Sequence, residues 1–446
     1  MLQFVEGTSG SGKTDTIRHM LMEKAKTGEE KLLLLVPEQN SFENERAMLR
    51  LMGPKKAGRI TVTSFTRMVD LVMRQTGGLA GRRLNDSGRS ILMSLALSQV
   101  KEELVLYQKQ SGSRELVELM LSALKEFKMC GIRPEDLKAA ADRLEEGNLR
   151  KKIRETGLVM AAYEALVSQS YIDPLDDLTR LKNVLEATPF FKGYTVMVDA
   201  FAGFTAQELE VLSLVLRQAK ETVISVCVDQ DPAKDNGMGL FSPVKKTVRQ
   251  LRRIAKDYHI PLAPPIRLPH GKRFQNEELK LLEQVIYRQA RLESGEVPGH
   301  IVLYNASDIY EEADFVARRI QKLVQEEGYR YREITVIARE TESYRGVLDA
   351  ALESYGIPYF MDQPEPLEEK PLMTLVLSAL ECVQSGYRSD ELFRLLKTGL
   401  TELQTEEIAA LENYALLWNL SGRRWLEPFT TVSYTHLRAH ETDSYL

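Results

Sequence analysis

The chain has 446 residues, of which 43% are hydrophobic and 28% are charged, and its formal net charge is −5. These proportions are typical of a globular protein and exclude a disordered chain, and the mild acidity gives no overall sign of a nucleic-acid partner. No apolar run reaches the roughly 18 residues of a membrane-spanning helix, and the N-terminus lacks the basic start of a signal peptide, so we expect a cytoplasmic protein without a membrane partner.

Strands and helices alternate along the first part of the chain. The apolar or β-branched runs that predict strands are residues 2–5, 32–36, 60–63, 194–198 and 223–228. Most of these runs are followed by a helical pattern. Between residues 86 and 170 helical patterns dominate. The order predicts a parallel α/β sheet interrupted by a helical insertion.

A second strand–helix pattern follows a proline-rich, basic stretch at residues 261–272. Predicted strands at residues 301–304 and 334–338 alternate with helices, and an extended run covers residues 358–361. Helical patterns resume from Pro371. The whole chain is therefore predicted to be α/β, with two strand–helix units.

A glycine-rich turn joins the first predicted strand to the first predicted helix, and it matches G-x-x-x-x-G-K-[ST] at every fixed position. The residues that we predict to bind nucleotide phosphates here are Gly7, Thr8, Ser9, Gly10, Ser11, Gly12, Lys13 and Thr14. In such a loop backbone N–H groups surround the phosphates. Lys13 is expected to reach the β- and γ-phosphates of ATP, and the Thr14 hydroxyl is expected to ligate Mg²⁺.

Acidic residues end two later strands. Asp199 follows the run at residues 194–198, which is where a P-loop protein holds Mg²⁺ through water. Asp229, with Gln230 beside it, ends the next strand and is a candidate sensor of the γ-phosphate. The alternative for each acid is an ordinary surface residue after a strand. Ala200 stands where a catalytic glutamate would follow Asp199.

The order of these motifs resembles that of a superfamily 1 helicase. The phosphate loop is followed by VPEQ at residues 36–39, TSF at residues 63–65, Asp199 and Asp229. In the second unit ITVIAR is similar to the fourth helicase motif, which makes Arg339 a candidate nucleotide contact.

The closer similarity is to the B subunit of the AddAB helicase–nuclease, also called the RexB type. The segments that carry this resemblance are GTSGSGKT, LLLVPEQNSFENE, VTSFTRMVDLVMRQTGG, VMVDAFAGFTAQE and LLKTGL. The resemblance covers about residues 1–430.

The resemblance implies a heterodimer with an AddA-type helicase–nuclease subunit that unwinds and resects DNA ends in double-strand break repair and recombination. It implies ATP and Mg²⁺ as cofactors and single-stranded DNA as a ligand. It also implies a nuclease domain with an iron–sulfur cluster, which would lie in a C-terminal part that this sequence does not contain. We therefore interpret the chain as an N-terminal fragment without nuclease activity.

The resemblance also implies two RecA-like domains. The expected boundaries are residues 1–85 with 171–275 for the first domain, 86–170 for its helical insertion, 276–370 for the second domain, 371–431 for the start of a truncated helical domain, and 432–446 for a tail. We interpret the tail as non-native sequence because it has no amphipathic period and contains two of the six histidines.

Residues just past the predicted strand ends are candidates for a DNA-binding surface. Aromatic rings can stack on bases, and cations can neutralise phosphates. The residues that we predict to contact single-stranded DNA are Gln39, Ser41, Phe65, Arg67 and Phe204. For Phe42 and Phe201 a place in the core is expected instead.

Two further functions remain open at this point: an active helicase of the same superfamily, and a non-catalytic scaffold whose P-loop stabilises the fold. A small-molecule kinase is disfavoured, because nothing in the second unit suits one. Since Ala200 cannot orient a water molecule, we expect the chain to bind ATP and to hydrolyse it slowly.

Overall fold

The computed structural model describes residues 1–78, 80–229, 239–268, 272–285, 299–361 and 367–427. The chain forms two compact units, Met1–Val302 and Leu303–Leu446. The predicted tail at residues 432–446 lies outside the described residues. In the described ranges no helix has both the length and the apolar character needed to cross a bilayer.

The first unit is built on parallel strands. Its strands are β1 (Leu2–Gly7), β2 (Leu32–Leu35), β3 (Ile60–Thr63), β4 (Arg82–Arg83), β5 (Tyr171–Ile172), β6 (Thr195–Val198), β7 (Glu221–Cys227) and β8 (Ile266–Arg267). Its helices are α1 (Lys13–Lys26), α2 (Ser41–Met52), α3 (Pro54–Ala57), α4 (Phe65–Thr76), α5 (Asp86–Gln99), α6 (Arg114–Met129), α7 (Pro134–Asp142), α8 (Asn148–Ser170), α9 (Asp177–Ala187), α10 (Ala206–Gln218), α11 (Ser242–Asp257) and α12 (Glu277–Val285).

Six of these strands form one sheet in the order β3-β2-β6-β7-β1-β8, and every pairing is parallel. All carboxyl ends therefore lie at the same edge. Strands β2 and β6 are buried along their whole length, which explains their unbroken apolar sequence. The prediction of an α/β fold with a parallel sheet is confirmed.

The pleat of the sheet divides its side chains between two cores. Leu33 and Leu35 of β2 pack in one core together with Val196 and Val198 of β6. Leu32 and Leu34 belong to the core on the opposite face, with helix α1. Helices therefore cover both faces of the sheet, as a parallel sheet requires.

The helices α5 to α8 have an apolar core of their own, which includes Met93, Leu124, Val159 and Tyr163. Helix α5 begins at Asp86 and α8 ends at Ser170; that this segment is an insertion in a domain stays a prediction. The short parallel pair of β4 and β5 joins the chain entering the insertion to the chain leaving it. The helical segment thus starts and ends at one place in the fold.

The second unit contains the helices α13 (Ile309–Gln325), α14 (Leu348–Ser354), α15 (Pro371–Gln384), α16 (Ser389–Leu396) and α17 (Thr405–Leu417). Asp308 caps α13 by accepting hydrogen bonds from the backbone N–H groups of Tyr310 and Glu311. Buried residues of α13 and α14, among them Ala317 and Leu352, form a small core.

The strands predicted at residues 301–304 and 334–338 are not found in the described residues, and no strand covers the extended run at residues 358–361. A strand requires a neighbouring strand for its backbone hydrogen bonds, and these segments have none in that part of the chain. Ile337 is 89% exposed and Phe360 is 90% exposed. The segments at residues 334–338 and 358–361 line an apolar cavity of about 610 Å³ instead.

Candidate nucleotide-binding site and strand-end surface

The glycine-rich loop between β1 and α1 needs its glycines for backbone reasons. Gly10 and Gly12 have φ angles of 75° and 91°, a region that residues with a side chain rarely adopt. A Cβ atom at Gly7 would lie 2.4 Å from the Ser11 hydroxyl oxygen. Gly12 caps α1 without a side-chain hydrogen bond, so the N–H groups of the first turn face the loop. This is the arrangement that binds phosphate.

Lys13 begins α1 and contacts the loop that precedes it. Its ammonium nitrogen donates a hydrogen bond to the carbonyl oxygen of Thr8 at 2.7 Å. The interaction places the cation at the loop, where it can exchange a neutral carbonyl for a phosphate oxygen. A hydrogen bond from the ammonium group to a charged phosphate oxygen is stronger than one to a neutral carbonyl oxygen.

A cavity of about 570 Å³ opens at the carboxyl edge of the sheet beside this loop. Its lining residues are Ser9, Gly10, Gly12, Lys13, Thr14, Asp15, Arg18, Asn40, Glu43, Asn44, Asp199, Ala200, Cys227, Lys272 and Arg273. The structure thus brings Lys13, Thr14 and Asp199 to one cavity. The sheet order explains this, because β1 and β6 both neighbour β7 and end at the same edge.

Asp199 is buried directly after β6. Its carboxylate accepts a hydrogen bond from the hydroxyl of Ser225 on β7, and its backbone N–H donates to Leu35 of β2 at 3.0 Å. Thr14 and Asp199 offer hydroxyl and carboxylate oxygens, which suit Mg²⁺, an ion that binds one or two carboxylates and completes its shell with water and substrate phosphates. The described residues contain no cluster of three or more His, Cys, Asp or Glu side chains that could hold a metal by themselves.

Ala200 has a φ angle of 66°, in the left-handed region. The chain therefore turns sharply after Asp199, and the methyl group of Ala200 lines the cavity. A methyl group accepts no proton, so this position supplies no general base.

Asp229 lies after β7, and its carboxylate is 2.9 Å from the ammonium group of Lys245 on α11. Asp229 is not among the residues that line the phosphate cavity, and its contact with the γ-phosphate stays a prediction. Gln230 lies outside the described residues. Arg339 is an exposed residue of the second unit, and its nucleotide contact stays a prediction.

Two residues at this site were missed by sequence reasoning, Lys272 and Arg273. The backbone N–H of Arg273 donates to the carbonyl oxygen of Gly10 at 3.0 Å. The side chain of Lys272 lies against Gly12, with its Cδ atom 3.3 Å from the position that a Cβ of Gly12 would take. Lys272 ends the basic stretch at residues 261–272 and Arg273 follows it directly, but no spacing rule connects that stretch with the loop.

The predicted DNA-binding residues lie at the ends of β2, β3 and β6, which are adjacent in the sheet. Gln39 and Arg67 are exposed, and Phe204 is half-buried. Arg67 forms an ion pair with Glu45 of α2.

Two residues of that set are placed differently from the prediction. Ser41 is buried at the start of α2. Phe65 is only 6% exposed and packs edge-on against Phe201 and Phe204, with centroid distances of 5.6 and 6.2 Å. Its ring has no open face for a base, because the first turn of α4 points it into the core. Conversely, Phe42 was expected in the core and is 75% exposed.

A parallel sheet with a glycine-rich phosphate loop after β1 and a buried acid after β6 defines a P-loop nucleotide-binding protein of the RecA-like type. Comparison with known families agrees with this class. The family model described as "ADDB, N-terminal" matches residues 4–283, and the one described as "UvrD-like helicase C-terminal domain" matches residues 272–422. The chain belongs to the AddB family.

Curated relatives are named as the B subunit of an ATP-dependent helicase/deoxyribonuclease. The chain is 32% identical over 430 residues to the protein so named from Thermoanaerobacter sp. (strain X514) and 32% identical over 438 residues to that from Clostridium tetani (strain Massachusetts / E88). Each alignment covers 96% of this chain, and the two cover 37% and 38% of the relatives. The chain thus spans well under half the length of these relatives.

Proposed function

We propose that this chain is the helicase-like, ATP-binding part of a DNA end-resection helicase–nuclease that acts in double-strand break repair and recombination. The observation that carries the proposal is the convergence of Lys13, Thr14 and Asp199 on one cavity at the strand ends. The names of the relatives, which combine ATP dependence, helicase and deoxyribonuclease, support it.

ATP would bind with its phosphates against the N–H groups of the loop and the ammonium group of Lys13. Mg²⁺ would be held by Thr14 directly and by Asp199 through water, and it would offset charge on the phosphates. Arg273 could add a further cation to the triphosphate, since it lines the same cavity. Ala200 leaves the attacking water without a base, so hydrolysis by this chain would be slow.

Single-stranded DNA would lie across the ends of β3, β2 and β6, where Gln39, Arg67 and Phe204 are accessible. A partner of the AddA type would supply the main motor, and such a complex is supported by the names of the relatives, which designate each of them as one subunit of an enzyme. Nuclease activity and an iron–sulfur cluster would belong to the part of such an enzyme that the alignments with the relatives do not cover.

Nucleotide binding is tested by Lys13→Ala. Loss of one charged hydrogen-bond donor is worth about 1.5–3 kcal/mol, so ATP affinity should fall by about ten- to a hundredfold. Lys192→Ala, which removes an exposed lysine outside the cavity, is the matched control and should bind ATP as the wild type does. Calorimetry that gives the same ATP affinity for Lys13→Ala and the wild type would refute the assignment.

An active DNA helicase is the second candidate, and the match of residues 272–422 to a UvrD-like helicase domain favours it. The two candidates differ in the rate of ATP hydrolysis. An ATPase assay with and without single-stranded DNA separates them, since an active motor is strongly stimulated by the strand on which it moves.

A further inference from the structure

A second cavity, of about 690 Å³, lies along helix α1. Its lining residues are Gly12, Asp15, Thr16, His19, Met20, Glu23, Lys24 and Lys272. Gly12, Asp15 and Lys272 also line the phosphate cavity. The two cavities therefore meet at the first turn of α1, and Lys272 stands at their junction.

The lining of the second cavity follows one face of α1. Asp15, His19 and Glu23 are spaced by four residues, as are Thr16, Met20 and Lys24, so the two rows run side by side along the helix. Eight residues of helix span about 12 Å, which is enough for a base and its ribose. The cavity starts where the phosphates would end.

We propose that this second cavity holds the nucleoside half of the nucleotide, with Lys272 placed over the phosphate nearest the ribose. The proposal rests on the proposed ATP binding at the P-loop. A triphosphate held at Lys13 and Thr14 still has its ribose and base to be placed, and the space along α1 adjoins the phosphate cavity at Gly12, Asp15 and Lys272.

The chemistry of the lining determines how the base is held. Lys24 is paired with Glu221 at 2.6 Å and Glu23 with Lys26 at 2.8 Å, so these charges are already compensated. The Nδ1 atom of His19 lies 2.7 Å from the carbonyl oxygen of Asp15. The imidazole of His19 and the thioether of Met20 offer the base a planar and an apolar contact.

The same lining selects poorly between bases. A site rejects the wrong base strongly when buried polar groups would be left without a partner. The carboxylate side chain of Asp15 is 74% exposed, and His19 is also exposed, so water can satisfy both groups beside any base. We therefore expect ATP and GTP to bind with affinities within about tenfold of each other.

The test compares ATP, GTP and inorganic tripolyphosphate as competitors of a fluorescent ATP analogue on the whole chain. His19→Ala should weaken ATP roughly tenfold, as expected for a lost base contact, and leave tripolyphosphate unchanged. Lys272→Ala should weaken both. His300→Ala, which removes an exposed histidine outside either cavity, is the control and should change neither affinity.

Three results would overturn the inference. If the ratio of ATP to tripolyphosphate affinity is the same in His19→Ala as in the wild type, the nucleoside does not bind in this cavity. If Lys272→Ala binds ATP and tripolyphosphate with the affinities of the wild type, Lys272 does not contact the phosphate nearest the ribose. A preference of about a hundredfold for one base would contradict the role of the exposed lining. If Lys13→Ala still weakens ATP in these cases, the inference fails while the proposed function stands.

Discussion

The guanidinium group of Arg67 lies 2.7 Å from the carboxylate of Glu45, and both side chains are partly exposed. The pair joins α4, which follows β3, to α2, which follows β2. Exposed ion pairs of this kind contribute about 0–1 kcal/mol. A DNA phosphate can therefore compete with Glu45 for the cation, and the pair can both orient Arg67 and reduce the positive charge of the surface.

The first prediction concerns this pair. Arg67→Ala should weaken binding of single-stranded DNA and reduce the slope of log affinity against log salt by about one, because one phosphate contact is lost. Glu45→Gln should tighten binding, since Arg67 loses its competitor. Titration of a labelled oligonucleotide at several salt concentrations measures both. A Glu45→Gln variant that binds more weakly than the wild type would contradict this competition between Glu45 and DNA.

The second prediction separates the exposed phenylalanine from the buried one. Phe42 lies in the first turn of α2, close in sequence to Gln39, and it is 75% exposed, so we expect it at the same strand-end surface. Phe42→Ala should lower the affinity for single-stranded DNA by about 1–3 kcal/mol, the value of one stacked base, with little change in stability. Phe65→Ala should reduce the free energy of unfolding by about 3–5 kcal/mol, because its ring fills the core. DNA titration and thermal unfolding of both variants check this. A Phe65→Ala variant that is as stable as the wild type but binds DNA more weakly would contradict the assignment of Phe65 to the core.

The third prediction concerns hydrolysis. The chain should bind ATP yet turn it over slowly, with little stimulation by DNA, because Ala200 offers no base. Ala200→Glu should raise the rate only modestly, since the left-handed backbone at this position does not hold a glutamate as an extended strand end would. Ala200→Gly should stabilise the fold by up to about 1 kcal/mol by relieving that backbone conformation.

Phosphate release assays and thermal unfolding measure these two effects. Brisk hydrolysis that is stimulated by DNA and abolished by Lys13→Ala would contradict the prediction and favour the active helicase.

The fourth prediction concerns acid stability of the second unit. Hydrogen bonds from the Ser307 hydroxyl, the Tyr304 hydroxyl and the Ser307 backbone N–H lower the pKa of Glu311 to about 2. Because the pKa of Glu311 is lower in the folded state than its ordinary value of 4.5, ionised Glu311 stabilises the fold above about pH 4.5. This stabilisation is lost as the pH falls towards 2. Glu311→Gln should therefore reduce stability at pH 7 and weaken the pH dependence between pH 5 and pH 2.

Unfolding of the wild type and Glu311→Gln across this pH range measures the difference. Parallel curves for the two proteins would show that Glu311 titrates normally. Glu326→Gln, which changes an exposed acid at the other end of α13, is the control.

Local sequence signals determined the sheet and the phosphate loop. Unbroken apolar runs such as that of β2 predict strands buried on both faces, because every side chain there must avoid water. The loop from Gly7 to Thr14 could be recognised because its function depends on residue types at fixed spacing. The apolar run and the loop motif together predicted the place of Asp199, because an acid at the end of a buried parallel strand lies at the same edge of the sheet as the loop.

Only the tertiary structure decided which side chains reach the site. Lys272 and Arg273 contact the loop through space from a distant part of the sequence, and no local pattern encodes that contact. Phe42 and Phe65 each lie in the first turn of a helix that follows a strand, yet one is exposed and the other buried, because the packing of each helix on the sheet sets the direction of its first turn. The predicted strands of the second unit remain unpaired in the described residues, since a strand also depends on neighbours that its own sequence does not specify.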